Sequence, residues 1–155
     1  MNKLAAITKK DSGYSFIEIL LTMLIIAVIA YFAIRYYKIS SVSREADAVI
    51  AEMNAINAAA TKLAQATNSF AGNVTTDSIA SVVSNGGMQT PWGSQISVTG
   101  VASNSYTVNI PDMPGKVCKL VMQEYANNSS YDMSSISCPS DPNATTTFTY
   151  TYFRN

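Results

Sequence analysis

Residues 9–34 read KKDSGYSFIEILLTMLIIAVIAYFAI, and this stretch decides how the rest of the chain can be arranged. Two lysines and an aspartate give way to an apolar run, in which residues 19–34 contain no charge, no Pro and no Gly. The 21 residues from Tyr14 to Ile34 would form a helix about 31 Å long, at roughly 1.5 Å per residue. Such a helix is long enough to cross a hydrocarbon core of about 30 Å. We therefore predict that residues 14–34 span a membrane.

Glu18 is the only charged residue between Asp11 and Arg35. An ionised side chain at bilayer depth costs roughly 2.5–3.5 kcal/mol or more unless it is paired. We therefore predict that Glu18 has a functional role and a cationic partner. An ordinary secretory signal is cleaved after its apolar core. The candidate cleavage residue here, Gly13, lies before that core, so the apolar segment would stay in the mature protein.

The arrangement G-Y-S-F-I-E-I-L-L at residues 13–21 resembles the type IV prepilin signature. That signature has a Gly at the cleavage site, a hydrophobic first mature residue and a Glu as the fifth mature residue. The resemblance implies that prepilin peptidase cuts between Gly13 and Tyr14 and that the new amine of Tyr14 is methylated. It also implies that Glu18 pairs with the N-terminal amine of a neighbouring subunit during assembly. The same resemblance implies the pilin fold.

For the chain as a whole, the resemblance implies a structural subunit of a type IV pilus. Residues 1–13 would be the leader, and the subunit would move from the bacterial inner membrane into an extracellular pilus on the cell surface. Its expected partners are other copies of itself through the N-terminal helices, prepilin peptidase and the pilus assembly machinery of the inner membrane. Three features favour the type IVb branch of the family. They are the thirteen-residue leader, Tyr14 at the position where type IVa pilins usually have Phe, and the absence of Gly and Pro from residues 14–38.

Three other functions share some of these features. A minor pilin would initiate or tip the fibre, and a type II secretion pseudopilin would form a short periplasmic piston. A plain single-pass membrane anchor or receptor would keep its leader and tolerate changes at Glu18.

The apolar pattern continues beyond the predicted membrane span. An alternating spacing of three and four residues runs over more than three heptads and predicts one helix from about Ser15 to about Ala66. A coiled coil is the alternative interpretation, but many stripe positions are Ala and no regular charge pattern flanks them. Packing against the protein's own sheet is therefore favoured. The stripe consists of Ile39, Val42, Ala46, Val49, Met53, Ile56, Ala60 and Leu63.

Residues 67–155 are predicted to form a C-terminal globular domain of α+β class with an antiparallel sheet. A short helix through Ile79, Val82 and Val83 is expected between N-cap candidates at residues 75–77 and an end at Asn85-Gly86-Gly87. A second helix is expected at 116–126, after Pro114 and Gly115. Strands are expected at 96–98, at 106–110 and, where Thr alternates with aromatic residues, at 147–153. We also predict a short strand at 135–138. Trp92, in a Thr-Pro-Trp-Gly turn, is expected to anchor the core.

Cys118 and Cys138 are the only cysteines, and both lie in the part expected outside the cytoplasm. An even count in an exported domain favours one disulfide, which would close a loop of about 20 residues. Free thiols and a metal site are the alternatives, although two Cys in a chain without His cannot form an ordinary zinc site. The disulfide also resembles the bridge of the type IV pilin C-terminal region.

Charge and composition argue against several classes of function. Removal of residues 1–13 takes away three Lys and one Asp and leaves 7 basic and 9 acidic residues. This balance offers no basic surface for nucleic acid. The chain has no His, the commonest general base, and no Ser in a G-x-S-x-G context. We therefore expect no enzymatic activity, no cofactor and no bound metal.

Overall fold

The structure is a computed structural model that describes residues 15–83 and 88–154. The chain divides between Ile39 and Ser40 into two compact units. In chain order the elements are the helices and strands α1 (Phe16–Ala64), α2 (Thr76–Val82), β1 (Ser97–Thr99), β2 (Ser105–Pro114), α3 (Gly115–Tyr125), β3 (Tyr131–Asp132) and β4 (Thr145–Phe153).

The long helix predicted from the apolar pattern is present as α1, within two residues of its expected ends. Its second half packs on a four-stranded antiparallel sheet in the order β1-β2-β4-β3, which confirms the α+β class. The buried side chains of α1 recur every three to four residues, as a helix with one core-facing stripe requires. They are Ala46, Val49, Met53, Ile56, Ala59, Ala60 and Ala64.

The core between α1 and the sheet comes from the alternation of β2 and β4. Tyr106, Val108 and Ile110 of β2 and Phe148 and Tyr150 of β4 are buried, while most of their sequence neighbours are only partly covered. Because side chains of a strand point alternately to its two faces, this pattern places one face on the helix. Each large apolar side chain removed from water contributes roughly 1.5–3 kcal/mol.

A β-bulge extends β2 beyond the predicted residues 106–110. Asp112 has a φ of 55°, and the register with β4 shifts between Ile110 and Met113. The Trp92 turn supports this corner, since Trp92 Nε1 donates to the Pro111 carbonyl at 2.9 Å and Ser94 Oγ donates to an Asp112 carboxylate oxygen at 2.7 Å. Trp92 is partly buried against the core, as its expected anchoring role requires.

The predicted strand at 135–138 is wrong. The only strand between α3 and β4 is β3, two residues long, and it pairs with Thr151 and Tyr152 of β4. After β3 the chain turns, because Ser134 N–H bonds to the Asp132 carboxylate and Ile136 N–H bonds to the Met133 carbonyl. Local hydrogen bonds of this kind offer the backbone an alternative to a sheet ladder.

Candidate assembly site on the N-terminal helix

Glu18 lies in the first turn of α1, three residues after Ser15. Its Oε2 atom accepts a hydrogen bond from the Ser15 backbone N–H at 3.0 Å. The Ser15 carbonyl in turn accepts from the backbone N–H groups of Glu18 and Ile19, at 2.9 and 3.2 Å. Glu18 therefore caps its own helix, where unpaired N–H groups and the positive end of the helix dipole favour a carboxylate.

Sequence reasoning missed this local role of Glu18, although the signal was present. The four residues from Ser15 to Glu18 fit the S-x-x-E capping box, in which the Glu reaches back to the first N–H of the helix. The interpretation given to Glu18 from sequence was a contact between subunits. One lone pair used by Ser15 leaves further acceptor sites on the carboxylate, so the two roles are compatible.

Gly13 and Tyr14, the predicted processing residues, lie outside the described residues. The position of their peptide bond therefore stays a prediction from sequence.

The surface around Glu18 is apolar and uncovered. Among the described residues, the exposed large hydrophobic side chains lie between Phe16 and Ile39, with Leu120 and Phe153 as the two exceptions. An 18-residue window of α1 has a mean hydropathy of 2.6, and none of it is buried. By length and composition, α1 is the one helix of the described chain that could cross a membrane.

Cys118 and Cys138 form the expected disulfide. Cys118 is fully buried in α3, and Cys138 packs against the same core from the loop after β3. The bridge closes a loop that contains β3 and its turn, so it fastens the edge of the sheet to α3.

A cluster of tyrosines contacts polar side chains of α1, and sequence reasoning did not find it. Asn54 Oδ1 accepts from Tyr125 Oη at 3.0 Å, and Asn57 lies within hydrogen-bond distance of the hydroxyls of Tyr106 and Tyr131. Burial, together with the charges that Tyr125 and Tyr152 would carry, raises the pKa of Tyr131 to about 12. Its hydroxyl therefore stays protonated at physiological pH, and the helix is fastened to α3, β2 and β3 by neutral hydrogen bonds.

Glu52 of α1 has no hydrogen-bond partner for its Oε1 atom among the described residues. This oxygen is buried, and the buried Tyr150 hydroxyl also has no partner among the described residues. Burial raises the pKa of Glu52. Burial also raises the pKa of Tyr150, and the negative charge of Glu52 raises it further. Burial thus disfavours the ionised forms of two groups at the boundary between α1 and the sheet.

We expect Glu52→Gln to make the folded chain more stable at neutral pH. Burial raises the folded pKa of Glu52 above its ordinary value of 4.5, so folding favours the protonated form. Stability from this group is fully present below pH 4.5 and is lost as the pH rises through the raised folded value. Denaturant unfolding of the detergent-solubilised chain between pH 4 and 8 should show this decline in the native chain and not in Glu52→Gln.

Two controls isolate the contribution of Glu52. Glu45→Gln makes the same charge change on the same helix and controls for the loss of one carboxylate. Asp132 has a pKa lowered by hydrogen bonds from Ser134, and its effect falls below its ordinary value of 3.8, outside the measured window. Identical pH profiles for the native chain and Glu52→Gln would contradict the assignment.

Among the described residues, no group of three or more His, Cys, Asp or Glu side chains could hold a metal ion. No family model matches this chain, and no curated protein matches it either.

Proposed function

We propose that this protein is a structural subunit of a type IV pilus, of the type IVb branch. It is cleaved by prepilin peptidase between Gly13 and Tyr14, methylated at Tyr14 and polymerised through its N-terminal helix. The observation that carries the proposal is one helix whose first half is apolar and uncovered, with a carboxylate in its first turn. A long helix on an antiparallel sheet with a disulfide is compatible with the pilin fold.

The energetics of the exposed half of α1 support a covering partner. Side chains such as Phe16, Met23 and Phe32 are 62–77% exposed. Leaving a large apolar side chain in water forgoes roughly 1.5–3 kcal/mol, and more than a dozen are exposed between Phe16 and Ile39. Membrane lipid covers these side chains before assembly, and the N-terminal helices of other copies cover them in the filament.

The position of Glu18 supports the second half of the proposal. Removal of the leader creates an ammonium group at Tyr14, four residues before Glu18. A buried carboxylate beside an ammonium is tolerated, whereas an unpaired one is not. An incoming subunit therefore stops at the axial position where its carboxylate meets a neighbour's amine, which sets the register of the fibre.

Processing is the first test of the proposal. We expect the intact mass of the mature protein to correspond to a chain that begins at Tyr14 and carries one additional methyl group. Gly13→Val should leave the leader attached, because a β-branched side chain replaces hydrogen beside the scissile bond. Ala5→Val, which changes the leader away from this bond, should be processed normally. A mature protein that still begins at Met1 would contradict the proposal.

The rival functions are separated by the composition of the fibres. Electron microscopy of sheared surface material, followed by mass spectrometry, should find this chain as the main protein of a pilus. A trace amount beside another subunit would identify a minor pilin, and its absence from surface fibres would favour a pseudopilin. An uncleaved chain in the membrane would favour the receptor.

A further inference from the structure

An open groove of about 280 Å³ lies between the second half of α1 and α3. Its lining includes the apolar residues Ile50 and Leu120 and the acidic residues Asp47 and Glu124. Ser43, Ala46 and Gln123 complete the lining. Leu120 is 38% exposed, although every other large hydrophobic side chain of α3 is covered. The groove therefore combines an exposed apolar side chain with two acidic residues.

Among residues 15–83 and 88–154, no salt bridge involves Asp47 or Glu124, although Arg44 lies one turn from Asp47 on α1. A partner that combines an apolar surface with a positive charge would therefore complement the groove in both respects.

The chain itself carries a surface of this chemistry. Arg35, Tyr36 and Ile39 lie within about one third of the circumference of α1, at roughly 100° per residue. Tyr36 is 76% exposed and Ile39 is 62% exposed. Arg35 is exposed too, and tyrosine and arginine are enriched where interfaces are energetically strong.

We infer that the groove between α1 and α3 receives the Arg35-Tyr36-Ile39 surface of a second copy of this chain. The Arg35 guanidinium meets the Asp47 and Glu124 carboxylates of the neighbour, and Tyr36 and Ile39 cover its Leu120 and Ile50. This contact rests on the proposed polymerisation and adds to it a specific register. In two parallel copies, the contact places Arg35 of one level with Asp47 of the other, a register shift of twelve residues.

Crosslinking tests this contact directly. We propose to express the full chain as Arg35→Cys with Asp47→Cys and to treat intact cells with a short bismaleimide. The native cysteines are bonded to each other and do not react. Only a bond between copies raises the apparent mass, so a covalent ladder reports contact between copies. The matched control, Arg35→Cys with Ala48→Cys, places the second thiol roughly 100° further round the helix and should give no ladder.

Charge reversal provides an independent measurement on fibre yield. Arg35→Glu alone and Asp47→Arg alone should each lower the yield by about tenfold or more, since like charges placed together at an interface are strongly unfavourable. The two changes together should restore the yield to within about twofold. Met23→Leu, an apolar exchange in the membrane span, should leave it unchanged.

The outcomes separate this inference from the proposed function. Fibres from the unaltered chain without a ladder from the Arg35 and Asp47 pair would overturn the docking of this surface and leave the pilus proposal intact. Single reversals without effect would overturn it as well. If the unaltered chain makes no fibres, the pilus proposal fails. A ladder from isolated membranes would then still support the groove contact, and its absence would overturn it.

Discussion

Replacing Glu18 with Val should nearly abolish fibres while leaving the amount of subunit in the membrane unchanged. Removing one partner of a buried charge pair costs roughly 3–5 kcal/mol, which corresponds to a loss of about a hundredfold or more. Cleavage after Gly13 should continue, because the peptide bond lies upstream of the change. The measurement is surface fibre yield beside membrane subunit level for cells in which the variant is the only source of subunit.

Two further variants separate the contact between subunits from the helix cap. Glu18→Gln keeps an oxygen that can accept from the Ser15 N–H at the position of Oε2, but it carries no charge. It should therefore assemble poorly although the cap is preserved. Thr22→Val alters a polar side chain one turn further along and should assemble normally, because the Thr22 hydroxyl donates to the Ile19 carbonyl of its own helix. Normal fibres from Glu18→Val would show that the carboxylate has no role in assembly.

Removing the disulfide should lower the free energy of unfolding of the detergent-solubilised chain by about 3 kcal/mol. That value follows from the loop entropy of the denatured chain, since the bridged residues are separated by 20 positions. Ala is the suitable replacement, because Cys118 is fully buried and a Ser hydroxyl there would need a hydrogen-bond partner. The measurement compares denaturant unfolding of the native chain with that of the double variant Cys118→Ala, Cys138→Ala.

The reduced native chain is the matched control, because it has the same side chains as the oxidised one. It should unfold at about the same denaturant concentration as the double variant. Protein purified from the cell surface without a reductant should bind no alkylating reagent. Quantitative alkylation of that material, or equal stability of the oxidised and reduced chains, would contradict a stabilising bridge.

Local patterns were sufficient to predict the elements that supply the core. The unbroken run without Gly or Pro and the stripe through Val49, Met53 and Ile56 predicted α1, and the alternation of Thr with aromatic residues predicted β4. Pro114 followed by Gly115 marked the start of α3. In each case a periodicity of two or 3.6 residues is repeated often enough to outweigh a single exception.

Features that depend on distant residues were not predictable in the same way. The expected strand ended at residue 110, yet the bulge at Asp112 lets Met113 and Pro114 pair again with β4. Asn54 and Asn57 lie outside the apolar stripe of α1, and nothing local to them indicates the tyrosines that they meet. The groove at Leu120 also depends on how α1 and α3 come together.

The two long strands of the sheet lie at its centre, and very short strands form its edges. β2 and β4 have 10 and 9 residues, whereas β1 has 3 and β3 has 2. A long edge that alternates Thr with aromatic residues would recruit strands from other chains and lead to amyloid-like aggregation. β3 blocks that edge of β4 at Thr151 and Tyr152, and it belongs to the loop that the disulfide closes. The disulfide therefore holds β3 in place on this edge of β4 and disfavours its pairing with strands of other chains.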